Sequence, residues 1–92
     1  MIQRFRHKGL ERLFQSGDLI GVPAQHEARL RRILALLNAS NAVGDMGLPG
    51  LRLHPLRGGR RGQWAVSVSG NLRLVFEFDG EDATNVDLID YH

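Results

Sequence analysis

The chain has 92 residues, 42% of them hydrophobic and 24% charged, with a formal net charge of +2 and no cysteine. A chain of this length makes a single domain, 1–92, that buries about three-fifths of its unfolded surface, and without cysteine it has no disulfide framework and no thiolate chemistry. Met1 to Lys8 lack the apolar stretch of a signal peptide, and no apolar run approaches the roughly 18 residues of a membrane span, which predicts a soluble, cytoplasmic protein with no membrane partner.

Residues 2–5 form a short apolar start that reads as an edge strand. The spacing then turns helical over residues 8–15, where Leu10, Leu13 and Phe14 share one face, and Gly17 marks the stop. Pro23 suits the first turn of a longer helix that runs to about Asn38. On it Leu30, Ile33, Leu34 and Leu37 repeat at i, i+3, i+4, i+7 spacing. Glu27 and Arg31 stand four residues apart on the solvent flank, the spacing of an ion pair.

Residues 38–50 are loop-like, punctuated by Gly44, Gly47, Pro49 and Gly50. The pattern afterwards is β. Residues 51–54 read as a short strand stopped by Pro55, and residues 58–62 as a flexible basic loop. Residues 63–69 and 72–78 alternate and are joined by Gly70-Asn71, which suits a two-residue type II′ hairpin. Residues 79–82 turn the chain again into a last strand, 83–90. Helices followed by antiparallel strands predict an α+β domain with two helices packed on one sheet face.

Charge is segregated along the chain. Residues 1–74 hold all 12 Lys and Arg against four acids, whereas residues 75–92 hold six acids and no Lys or Arg. The first segment offers a surface that can follow a phosphate backbone, and the second is an acidic hairpin.

Register carries the reading further. A two-residue loop pairs Ser69 with Leu72, hence Val68 with Arg73 and Val66 with Val75. If Phe78 faces Ala83 across the second turn, Arg73 meets Leu88, and Asp90 and His92 fall on the face that carries Arg73. This parity holds for an unbroken ladder, because one bulge reverses it. An Arg73–Asp90 salt bridge fastening the last strand is the plain structural alternative.

Such a face suits RNA cleavage without a metal, in which a ribose 2′-hydroxyl attacks the neighbouring phosphorus. The reaction needs a base, an acid and cations. Imidazoles such as His54 and His92 exchange protons near neutral pH, and the α-carboxylate beside a terminal His92 favours its imidazolium. Arg57 and Arg73 offer planar forks of donors to phosphate oxygens. Asp90 is placed to orient His92 or to act as base, and Tyr91 to stack, to donate its proton or to plug the sheet. The structural alternative for His54 is a packed strand residue. His7, His26, His54 and His92 are too scattered for a metal centre, and no phosphate-binding loop, serine elbow or dinucleotide turn occurs, so no metal and no cofactor are expected.

Phe5-Arg6-His7-Lys8-Gly9-Leu10-Glu11, Leu53-His54-Pro55-Leu56-Arg57-Gly58, Gly62-Gln63-Trp64, Gly70-Asn71-Leu72-Arg73-Leu74-Val75-Phe76 and Asp90-Tyr91-His92 together resemble the HigB branch of the RelE/ParE toxins. The resemblance spans essentially the whole chain. It implies a compact RelE-like fold of β-α-α-β-β-β order and a type II toxin, a metal-independent mRNA endoribonuclease that cleaves translated message in the ribosomal A site of the 30S subunit and so inhibits translation. It further implies a HigA-like helix-turn-helix antitoxin as partner, with promoter DNA reached only through the toxin–antitoxin complex. The family's active-site positions fall on His54, Arg57, Arg73, Asp90, Tyr91 and His92. Lys8, Arg29, Arg31, Arg32, Arg60 and Arg61 are the cations expected to meet RNA or the ribosome.

The chain departs from the family pattern at three positions. Relatives usually carry Lys where Arg57 stands and often Asp where Gly59 stands; Leu72 replaces a frequent Trp. An arginine keeps the cation but does not readily release a proton. Two other readings of the same fold remain open at this level: a ParE-like gyrase inhibitor, a branch that lacks the His and Tyr set, and a degenerate RNA-binding subunit of a repressor complex.

Overall fold

Leu10 and Leu13 on helix α1 (Lys8–Ser16) and Leu30, Ile33, Leu34 and Leu37 on helix α2 (Glu27–Ala39) are all buried in one core. Burying each leucine contributes about 2 kcal/mol, so these two stripes are the main force that closes the molecule. The computed structural model describes residues 1–91.

Local chemistry sets the helix ends. The His7 side chain caps α1 by accepting from the Leu10 backbone N–H at 3.1 Å, and Gly17 ends it with a left-handed φ of 72°. Ahead of α2, Pro23 opens a 3₁₀ turn, Ala24–His26, so the helix proper starts four residues later than the proline suggests. The expected Glu27–Arg31 pair forms at 2.8 Å.

Four antiparallel strands follow in the order β1 (His54–Pro55), β2 (Trp64–Ser69), β3 (Leu72–Asp79) and β4 (Asp82–Asp90). Both helices pack on one face of this sheet, through Val66, Val68, Leu74, Phe76, Ala83 and Val86. The expected α+β architecture is therefore the one observed.

Three local expectations need correction. Residues 2–5 do not form a regular strand: Ile2 and Phe5 make isolated parallel bridges to Ala83 and Val86 at the outer edge of β4. The strand expected at 51–54 shrinks to His54–Pro55, because Arg52 takes a left-handed φ of 53° that turns the chain. Pro55 belongs to that strand, which is possible because β1 is an edge and needs no donor on its outer side. Lastly, the loop 38–50 contains a 3₁₀ turn, Val43–Met46, that drops Met46 into the core.

The hairpin loop is as expected. Ser69 pairs with Leu72, and Gly70 carries the positive φ, 45°. Beyond the turn the ladder breaks. Ser67, not Val68, pairs with Arg73, which leaves Val68 as an extra residue in β2. A second bulge interrupts β4: Glu77 pairs with Thr84 but Val75 pairs with Asp87, and Asn85 in between has a φ of 52°. These two bulges reset which side chains share a face.

Candidate active site

With both bulges in place, the sheet face away from the helices carries a continuous row from β1 to β4: His54, Ala65, Val75 and Asp87. Ala65 and Val75 are fully shielded although neither belongs to the core shared with the helices, so the row has a small apolar floor between two polar ends. The next row on the same face is Ser67, Arg73 and Ile89. Strand spacings put the backbones of His54 and Arg73 about 12 Å apart. That gap is within joint reach of an imidazole and an arginine.

His54 is half-buried, and its Nδ1 lies 2.8 Å from the carbonyl oxygen of Arg52. A carbonyl only accepts, so Nδ1 holds a proton and the neutral ring keeps its lone pair on Nε2. The left-handed turn at Arg52 presents that carbonyl. An imidazole fixed in this tautomer is set up to take a proton at Nε2.

Arg73 folds toward the hairpin turn, donating through Nη1 to the carbonyls of Gly70 and Leu72. A guanidinium has five N–H donors, so this tether leaves others for an anion. Arg57, Arg60 and Arg61 occupy the β1–β2 loop around a 3₁₀ turn, Gly58–Arg60, and all three are exposed. The side chains of Arg57 and Arg61 have no hydrogen-bond or ion-pair partner among the described residues, while Arg60 Nη1 donates to Gln63 Oε1 at 3.2 Å.

The expected common face of Arg73 and Asp90 is not found. Arg73 pairs with Ile89 and Asp90 pairs with Leu72, so Asp90 belongs to the helix side of β4. The extra residue at Asn85 reverses the parity on which that expectation rested. Asp90 instead borders a depression of about 340 Å³ with Gln25, His26, Ser69 and Asn71, residues that spacing alone did not connect with it. Tyr91 continues the ladder, its N–H donating to the Asn71 carbonyl at 2.9 Å, and its side chain is exposed. His92 lies outside the described residues.

The remaining basic candidates divide by layer. Arg29 Nη2 donates to the carbonyls of Gly50 and Ser67, at 2.9 Å each, and so clamps α2 to the loop and to the bulged end of β2. Lys8 pairs with Glu11 at 3.7 Å, and Arg31 with Glu27 and the Gly17 carbonyl. The Arg32 side chain is exposed and without a partner among the described residues. All four belong to the helical layer, across the sheet from His54. The candidates missed from sequence are Gln63, Glu77 and Asp87 on the open face. Their only signal was alternation, and the bulges scrambled it.

Comparison with known proteins defines the class: the RelE-like toxins of the type II toxin–antitoxin system HigB match the chain over residues 3–92. The chain belongs to this HigB-like toxin family. It is 39% identical over 92 residues to the endoribonuclease HigB of Proteus vulgaris, and the match covers 100% of both chains.

Proposed function

We propose that this toxin is an endoribonuclease that cuts messenger RNA held in the ribosomal A site. Family membership and the name of the Proteus relative support the reaction class. The observation that carries the reading is the His54–Arg52 contact, which leaves an accepting Nε2 on the same sheet face as Arg73.

In the proposed reaction His54 Nε2 takes the proton of a ribose 2′-hydroxyl as that oxygen bonds to phosphorus. The bond from phosphorus to the 5′-oxygen breaks, leaving a 2′,3′-cyclic phosphate, and the departing oxygen takes a proton from Tyr91 or His92. Arg57 and Arg73 balance the charge that builds on the phosphorane. Asp90 orients the closing residues from the helix side. All the chemistry is borne by side chains, with no cofactor.

A free message does not hold its 2′-hydroxyl in line with the scissile bond. The ribosome supplies that alignment, worth about 7 kcal/mol or more in well-oriented cases. Cations of the helical layer, among them Lys8, Arg31 and Arg32, suit docking on ribosomal RNA. The toxin acts in the cytoplasm and is neutralised by a HigA-like antitoxin, which alone brings it to promoter DNA.

Primer extension on message isolated after induction of the toxin tests this reading. Codon-aligned 5′ ends that vanish with His54→Ala are the expected result. Growth arrest without new ends overturns the nuclease, and equally fast cutting of naked message overturns the role of the ribosome.

A further inference from the structure

Three half-buried polar side chains with no part in the proposed chemistry cross the open face beside the basic loop. Arg60 Nη1 donates to Gln63 Oε1 at 3.2 Å, and Gln63 Nε2 donates to Glu77 Oε2 at 3.4 Å. Asn85 Nδ2 donates to that same oxygen at 3.2 Å. The chain of bonds therefore runs from the loop, through β3, to the bulge of β4.

Each member fits its place by chemistry. A guanidinium only donates and a carboxylate only accepts, so the group between them must do both, and a primary amide does. Contact with Glu77 turns the Gln63 amide nitrogen inward, which turns its oxygen toward Arg60. On the far side the left-handed backbone of Asn85, at a φ of 52°, sits beside Glu77 as a second donor.

The loop at the near end of this chain has little else to hold it. Residues 57–62 are all exposed, and Gly58 and Gly62 sit at φ values of 66° and 94°. Its ends are closed by Leu56 N–H donating to the Gln63 carbonyl at 2.9 Å and by Gln63 N–H donating to the Arg60 carbonyl at 3.0 Å. Gln63 thus ties the loop through its main chain and through both ends of its side chain. Arg60 uses a single Nη1 contact here, which leaves the other donors of this exposed side chain for an anion.

We propose that Gln63, Glu77 and Asn85 are positioning residues that hold the Arg60 guanidinium ready for an RNA phosphate. The inference rests on the proposed RNA-cleaving function for the identity of the anion. Its content is a coupling: Gln63 acts on RNA through Arg60.

A double-mutant cycle with Gln63→Met and Arg60→Ala tests that coupling. Two readouts are used: binding of a 2′-O-methyl RNA oligonucleotide over a range of salt, and kcat and KM for cleavage of translated message. Each single change is expected to weaken binding about three- to tenfold and to flatten the slope of log affinity against log salt by about one unit. KM should rise while kcat holds. The double variant should bind no worse than Arg60→Ala alone. Wild-type binding by Gln63→Met, or losses that multiply in the double variant, overturns the proposal.

If Gln63→Met lowers the melting temperature, Asn85→Gly tests the same chain, since glycine accepts the bulge conformation. It should weaken binding in the same direction, and by nothing further once Arg60 is Ala; any additional loss there counts against the coupling. A wild-type protein that binds with this coupling but leaves message uncut overturns the proposed function alone. Cutting that persists without coupling overturns this inference alone.

Discussion

His54 and Arg52 meet through the imidazole Nδ1 and a main-chain carbonyl, 2.8 Å apart. That contact settles the tautomer of the neutral ring, and it depends on the left-handed turn at Arg52, where φ is 53°. His54→Ala should lower the rate of message cleavage by about a hundred- to ten-thousandfold, the range for loss of a general base. Melting temperature should change little, because the ring is only half-buried. A mutant that melts far lower yet retains its rate per folded molecule would make His54 a packing residue.

Asn85 sits in β4 at a φ of 52°, a conformation that asparagine and glycine tolerate and β-branched residues do not. Asn85→Val should destabilise the fold by about 1–2 kcal/mol. Asn85→Gly should stay near wild type in urea unfolding. Equal loss in both would trace the effect to the amide contact with Glu77 and not to the backbone.

Arg29 is a stability residue in this arrangement. Its guanidinium holds two carbonyls from different elements, and charge-assisted bonds of this kind contribute about 1.5–3 kcal/mol each when shielded. Arg29→Met, which keeps the apolar stem, should cost about 2 kcal/mol in total because the site is only half-shielded. The expected sign is a lower urea midpoint with unchanged affinity of the folded protein for ribosomes. A selective loss of ribosome affinity would restore Arg29 to the RNA-contacting set.

Removing His92 tests the acid. The shortened chain should keep its urea midpoint and its antitoxin binding and should lose message cleavage. Full activity of the shortened chain would assign the departing oxygen's proton to Tyr91.

The parts of the fold that were legible in the sequence are those set by local rules. The stripe Leu30, Ile33, Leu34 and Leu37 needs only helical spacing, and it is buried as a unit. Gly70-Asn71 needs only its turn chemistry, and Ser69 faces Leu72 as that chemistry requires. Face assignments needed an exact count along each strand, and a single extra residue is not a local property. One trace of the β4 bulge was present: Ala83 and Val86 are three apart, and both are buried in the core. A uniform strand cannot put both on one side. Arg52 gave no comparable sign, since its left-handed turn breaks the strand expected around it. The tautomer of His54 followed from that turn and so lay beyond reach of spacing.

Both margins of the sheet are shortened. One rim is β1, two residues that include Pro55, and the other is occupied by the opening residues as far as Val86, with Gln3 N–H donating to the Ala83 carbonyl and Val86 N–H to the Arg4 carbonyl. Unpaired strand margins are where β proteins recruit further copies of themselves into ordered aggregates. A two-residue rim on one side and a partly occupied rim on the other leave this protein little margin on which a second copy could add a strand.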